Sequence, residues 1–261
     1  MLFVWALTLF FQPVFADDGK LDSKLDLTLD APITIAIDAG HGGTDAGATR
    51  GGVRESTIVL GISQNLEKIL NADPQYSAFL TRPDNSVLEL QHRVKKAQKN
   101  NAQLFVSIHA NSSPDSHTQG MEIYFRNELA PNEESLRLAH HENQNETFKK
   151  KRAKGDVTSI LHDMQKSMNT LKSYELSWHI VDHWKVPFSK KRIDTVKQGP
   201  FYVIQQDTIP SILIEIGFVT NEKEAKRLNT PSYQKEIAQA IYQGLKDYKE
   251  TLDKGHSKAL K

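Results

Sequence analysis

The chain has no cysteine. Disulfides, thiolate zinc sites and a cysteine nucleophile are therefore excluded, and any metal would have to be held by His, Asp or Glu. It also lacks an excess of either charge: 33 Lys and Arg stand against 32 Asp and Glu, a formal net charge of +1. No overall basic field exists to recruit nucleic acid or anionic lipid, and no nucleic-acid partner is expected. The apolar run Met1 to Ala16 is too short to cross a bilayer comfortably. Val14 and Ala16 occupy the small-residue positions of a cleavage site before Asp17, so residues 1–16 read as a secretory signal peptide, with no stable membrane insertion after its cleavage. It departs from that pattern in having neither Lys nor Arg after Met1, which leaves open a start further upstream or an uncleaved anchor. No internal repeat and no second folded domain are visible in the 261 residues.

Residues 17–30 are polar and read as a linker, residues 31–250 as the folded domain, and 251–261 as a loose polar tail. Within the domain, Ile33 to Asp38 is a buried strand that enters the glycine-rich loop Gly40-His41-Gly42-Gly43. Ile58, Val59, Ile62, Leu66, Ile69 and Leu70 then recur at helical spacing over Glu55 to Leu70. Strand, glycine loop and helix open a βαβ unit. Further strands are expected at Tyr76–Thr81, Leu104–Ile108, Gly120–Phe125, Phe201–Ile204 and Ser211–Ile216, with helices at Val87–Lys99, Leu176–Trp184, after Asn221 and from Ser232. The fold class is α/β: a single domain with a mostly parallel central sheet and helices on both faces.

Between about residues 126 and 173 the composition shifts to Asn, Glu, His and Lys, and Lys149-Lys150-Lys151-Arg152 forms a basic run. Helical periodicity survives at Leu136–His141 and Val157–Leu171, so this segment reads as a helical insertion. A solvated excursion without function and a regulatory element are both compatible with it.

His41, His109 and Glu215 each lie at or near the end of a separate hydrophobic strand, and Glu55 opens the helix after the His41 loop. In an open α/β sheet the carboxyl ends of the strands share one crevice, so the four could converge. Two imidazoles and one carboxylate form a three-ligand set for catalytic zinc, and the remaining carboxylate would be the general base. A single His after a strand is more often a satisfied loop residue; His92, His140, His141, His162 and His256 are placed in that class. For Glu215 the same reading is harder to hold, because a carboxylate within Ile212-Leu213-Ile214-Glu215-Ile216 is costly to bury without compensation.

Asp38-Ala39-Gly40-His41-Gly42-Gly43 with Asp45 and Gly47, then Glu55, Ser107-Ile108-His109-Ala110-Asn111, and Ile214-Glu215-Ile216-Gly217-Phe218-Val219-Thr220-Asn221 together resemble the zinc-dependent N-acetylmuramoyl-L-alanine amidases of the amidase_3 family. Leu80-Thr81-Arg82-Pro83-Asp84 and Arg93 are similar to the same family, and the likeness runs from about Ile33 to Tyr248. The resemblance implies Zn2+ held by His41, Glu55 and His109, and Glu215 as the catalytic carboxylate. It implies hydrolysis of the amide between N-acetylmuramic acid and the L-alanine of the stem peptide in peptidoglycan, in the periplasm, for cell separation or wall remodelling. It also gives the insertion a meaning: in such amidases from Gram-negative bacteria a helical insertion can cover the zinc until a LytM-like activator protein displaces it, and Glu142 is the candidate blocking residue. Alternative functions are a zinc carboxypeptidase or deacetylase acting on peptidoglycan, and an inactive wall-binding protein with the same fold.

Overall fold

A computed structural model describes residues 31–127, 132–143, 157–185 and 194–259. The expected signal peptide 1–16, the linker 17–30 and the basic run 149–152 lie outside the described residues. The strands are β1 (Ile33–Ala39), β2 (Thr49–Arg50), β3 (Val53–Arg54), β4 (Tyr76–Leu80), β5 (Leu104–Asn111), β6 (Glu122–Arg126), β7 (Val196–Gly199) and β8 (Ser211–Phe218). The helices are α1 (Glu55–Asn71), α2 (Leu90–Lys99), α3 (Glu133–Glu142), α4 (Val157–His183), α5 (Glu222–Leu228) and α6 (Pro231–Ala259). Six strands form one sheet in the order β4-β1-β5-β8-β6-β7, and β2 pairs with β3 as a separate hairpin. Strands β4, β1, β5 and β8 run parallel, β6 runs antiparallel to β8, and β7 runs parallel to β6. Among the described residues no helix is long and apolar enough to cross a membrane.

Both faces of the sheet are covered, which explains why the central strands read as continuous apolar runs. Alternation along each strand divides the core. Ile35, Ile37, Val106, Ile108, Ile212, Ile214 and Ile123 pack with residues of α1, α4 and α6. Ala36, Phe105, Leu213 and Tyr124 pack on the other face with Leu90 and Ala97 of α2, Leu138 and Ala139 of α3, and Phe201 and Val203. Each large aliphatic side chain so buried stabilises the fold by roughly 1.5–3 kcal/mol. By the same period of two, His109, Glu215 and Glu122 share the face of Phe105, Leu213 and Tyr124. Register places them side by side, His109 opposite Glu215 and Glu215 opposite Glu122.

The turn after β1 is held by two arginines. Arg82 donates to the carbonyl oxygens of Ala39 (2.8 Å), Gly40 (2.6 Å) and Ser56 (3.0 Å), and Arg93 donates to those of Ala39 (2.6 Å) and His41 (2.7 Å). Arg93 also pairs with buried Asp38 at 3.0 Å, and Asp38 accepts from Thr81 Oγ1 (2.5 Å) and Ser107 Oγ (2.9 Å). Burial pushes the Asp38 pKa up, but Arg93, Thr81, His109 and Ser107 together bring it below the usual value. Removing one partner of a buried ion pair leaves an uncompensated charge. Arg93→Leu is therefore expected to cost about 3–5 kcal/mol in denaturant unfolding; a loss below 1 kcal/mol would show that the pair is dispensable.

Several expectations are corrected. Phe201–Ile204 is not a strand but a turn of 3₁₀ helix over Tyr202–Ile204. It follows strand β7, a polar Val-Lys-Gln-Gly edge strand without the apolar alternation that would reveal it. The second helix begins at Leu90 rather than Val87. Part of the tail is helical, since α6 runs to Ala259 with Lys249 buried on it. The limits expected for the insertion fall inside elements, because Arg126 ends β6 and Ser173 lies within α4. The C-terminal half of α4 is a core helix: Leu176, Ile180 and Val181 are buried in the main apolar cluster.

Candidate metal centre

His41, Glu55 and His109 reach one point from three elements. Glu55 is the first residue of α1, and its carboxylate is fixed from both sides: Oε2 accepts from the Ala48 N–H and Oε1 from the Ala110 N–H, each at 2.8 Å. Oε1 lies 3.1 Å from His41 Nε2 and 3.3 Å from His109 Nδ1. The glycines keep this approach open. A Cβ on Gly40 would meet the His109 imidazole, and one on Gly47, at φ +63°, would meet the Glu55 carboxylate and the His41 ring. His41 itself has φ 56°, a left-handed conformation that non-glycine residues rarely adopt and that tends to mark functional sites.

A fourth group arrives from α3. Glu142 Oε2 lies 2.9 Å from His109 Nδ1 and 3.3 Å from His41 Nε2, and the ligand atoms of His41, His109 and Glu142 all fall within 4.8 Å of one another. The helix is positioned by an Asn132 cap that accepts from Ser135 N, and by Leu138 and Ala139, which bury its inner face. Burial lowers the pKa of both histidines. Facing carboxylates outweigh it, raising His41 chiefly through Glu55 and raising His109 to about 10 chiefly through Glu142. The opposing effect on Glu142, led by His109, overcomes its burial and lowers its pKa well below the usual range.

The donors fit a divalent metal. His41 Nε2, His109 Nδ1 and Glu142 Oε2 are buried, and Glu142 Oε2 lies 3.3 and 2.9 Å from the two nitrogens, yet among the described residues none of the three makes a properly directed hydrogen bond. Such donors could be satisfied together by one shared cation, and a set of imidazole nitrogens and carboxylate oxygens suits zinc. Asp45 completes the arrangement: its Oδ2 is 2.8 Å from His41 Nδ1, which directs Nε2 inward as the free ligand atom, and its Oδ1 accepts from Gly47 N. Asp45→Ala is accordingly expected to weaken zinc binding about 10–100-fold in a chelator competition assay; an unchanged affinity would remove Asp45 from this role.

Glu215 comes to the same end of the sheet on β8, fully buried, with neither carboxylate oxygen hydrogen bonded among the described residues. Burial raises its pKa well above the usual carboxylate range; His109 opposes this, while Glu142, Glu55 and Glu122 add to it. The four residues singled out in the sequence are thus brought together, and Glu142 joins them. His141, set aside as a surface residue, borders the site through a 2.9 Å contact with Glu142 Oε1. Asp45 stood in the quoted motif without a role, although its spacing of four from His41 was the available signal.

A family model described as N-acetylmuramoyl-L-alanine amidase matches residues 35–247. The chain is 32% identical over 223 residues to the N-acetylmuramoyl-L-alanine amidase AmiC of Escherichia coli O6:H1, covering 84% of this chain and 53% of that protein. It is 33% identical over 231 residues to AmiA of Escherichia coli K12, covering 86% of this chain and 79% of that protein. The chain spans about half the length of AmiC and of a Haemophilus influenzae relative, AmiB, of which it covers 52%. Among solved structures, the CwlD amidase of Clostridioides difficile in complex with the GerS lipoprotein aligns with a TM-score of 0.63 at 29% identity, covering 84% of this chain and 99% of that one. The amidase AmiC2 of Nostoc punctiforme aligns with a TM-score of 0.60 at 27% identity, covering 83% and 96%. With the family model matching most of its length, the chain belongs to the N-acetylmuramoyl-L-alanine amidase family.

Proposed function

We propose that the chain hydrolyses the amide between N-acetylmuramic acid and L-alanine in peptidoglycan, with His41, Glu55 and His109 holding a zinc ion and Glu215 as the catalytic carboxylate. The observation that carries the reading is the convergence of two undirected imidazole nitrogens, the clamped Glu55 carboxylate and the buried Glu215 at one end of the sheet. When bound there, zinc supplies Lewis-acid polarisation of the scissile carbonyl and an acidified water. The chain's own part is to orient the ligands and move the proton. Asp45 orients His41, and the Ala48 and Ala110 N–H groups orient Glu55. Glu215 takes a proton from the attacking water and returns it to the leaving amine. Mass spectrometry of digested sacculi tests the bond cut: free stem peptides with an L-alanine N-terminus are expected. Shortened stem peptides or deacetylated sugars would favour the carboxypeptidase or deacetylase alternative, and sacculus binding without release would favour an inactive wall-binding protein.

The same reading places Glu142 and α3 as an autoinhibitory cover, supported by the contacts of Glu142 with both histidines. A LytM-like activator acting on the insertion is the partner that the resemblance suggests. Ile160, Leu161, Met164, Met168 and Leu171 leave an apolar stripe exposed on α4, in keeping with a surface covered on demand. The proposed location is the periplasm after signal cleavage, with a role in cell separation or wall remodelling.

A further inference from the structure

Asn143, the C-cap of α3, is bound like a piece of peptide. Its Nδ2 donates to the Pro200 carbonyl at 2.9 Å, and its Oδ1 accepts from the Tyr202 N–H at 2.7 Å. A carboxamide side chain carries the same donor and acceptor chemistry as a peptide group. A backbone C=O and the N–H two residues on, both engaged by one donor–acceptor pair, is the bonding that one residue of an extended chain makes with a parallel neighbour. Phe201 between them is extended, at φ −80° and ψ 128°, and its buried ring packs 4.7 Å from the Tyr124 ring. The ring of Phe201 thus anchors the rung to Tyr124 of β6, in the same apolar cluster as Leu138 and Ala139 of α3. Glu142, the residue before Asn143, presents its carboxylate to His41 and His109. Two consecutive residues of α3 thus place a carboxylate at the metal ligands and a peptide-like amide on a fixed backbone rung.

Resting on the amidase reading, we propose that the Pro200 C=O and the Tyr202 N–H form a subsite for the backbone of the substrate's stem peptide, and that Asn143 occupies it as a surrogate while α3 is in place. Buried backbone polar groups need partners, and an extended peptide supplies both at once as it does when added to a sheet edge. The stem peptide begins at the scissile bond, so a rung one residue removed from the metal-facing Glu142 would hold L-alanine itself, its N–H on the Pro200 carbonyl and its C=O on the Tyr202 N–H, and orient the amide for attack.

The test uses the full zinc-loaded chain opened by Glu142→Ala. In that background Tyr202→Pro removes the N–H where proline is best tolerated, at the first position of a helical turn after an extended residue. Tyr202→Ala, which keeps the N–H and lacks the ring, is the reference. Loss of one neutral hydrogen bond predicts a KM for soluble muropeptide about 2- to 10-fold higher in the proline variant, with kcat within about twofold. A second measurement needs no change at Tyr202. By calorimetry, Asn143→Ala is expected to bind an N-acetylated stem tripeptide beginning with L-alanine more tightly than the parent chain does. The ester analogue, in which the N–H facing Pro200 becomes oxygen, is expected to lose that gain. Equal KM for the two Tyr202 variants, or equal binding of amide and ester peptides, overturns the subsite. If the peptides discriminate but no muropeptide is cut, the subsite stands and the amidase reading fails.

Discussion

Glu215→Gln is expected to lower kcat about 10²–10⁴-fold, the usual range for loss of a general acid–base group, while zinc content and circular dichroism stay at parental values. The substitution keeps the side-chain volume and removes the ability to accept a proton. Among the described residues nothing competes for that proton-accepting capacity, since both Glu215 oxygens are buried without a hydrogen-bond partner there. The environment also suits the task. Burial raises the pKa, His109 pulls against it, and the carboxylates of Glu142, Glu55 and Glu122 reinforce the rise. A base must be deprotonated to act, so a raised pKa moves the acid limb of kcat/KM upward: activity should fall with decreasing pH before an ordinary carboxylate would protonate. In the glutamine variant that limb should disappear from the residual rate. A variant retaining activity within threefold of the parent would end the assignment of Glu215.

The second large effect is a gain. Glu142→Ala is expected to raise basal hydrolysis by about 10- to 150-fold in the absence of any activator, with zinc retained through His41, Glu55 and His109. The estimate treats the Glu142 carboxylate as a charge-assisted contact of about 1.5–3 kcal/mol holding α3 closed, each 1.4 kcal/mol being tenfold in population. The gain cannot exceed the reciprocal of the fraction of molecules already open in the parent, so a weakly closed parent would sit at the lower figure. A point substitution is the clean test. Excising residues 126–173 would also remove the end of β6, the Asn169 bond to the Asp207 carbonyl and the Ser173 hydroxyl that accepts from Ser211 N. The autoinhibitory reading would be lost if Glu142→Ala hydrolysed muropeptides no faster than the parent while a LytM-like activator still stimulated it.

Sequence alone determined the parts of this protein that repeat locally. Alternation and apolar runs located the parallel strands, because a strand buried on both faces must be apolar at every turn of the pleat. The absence of cysteine restricted the metal chemistry to nitrogen and oxygen ligands, and the resemblance ordered His41, Glu55, His109 and Glu215 into roles. Tertiary structure decided what depends on approach through space. The polar edge strand β7 and the 3₁₀ turn after it carry no periodicity of their own, and their conformations follow from pairing with β6 and from the buried Phe201. Arg82 and Arg93 collect the carbonyls of the His41 turn from 42 to 54 residues away in the chain. Asp45 selects which ring nitrogen of His41 faces inward, a choice that composition cannot express. Glu142 was named in the sequence only as the blocking residue that the resemblance suggested, and its contacts depend on how α3 is seated. Its place opposite two imidazoles follows from the burial of Leu138 and Ala139 on the helix's inner face, and the adjoining Asn143 amide lands on the Pro200–Tyr202 rung for the same reason.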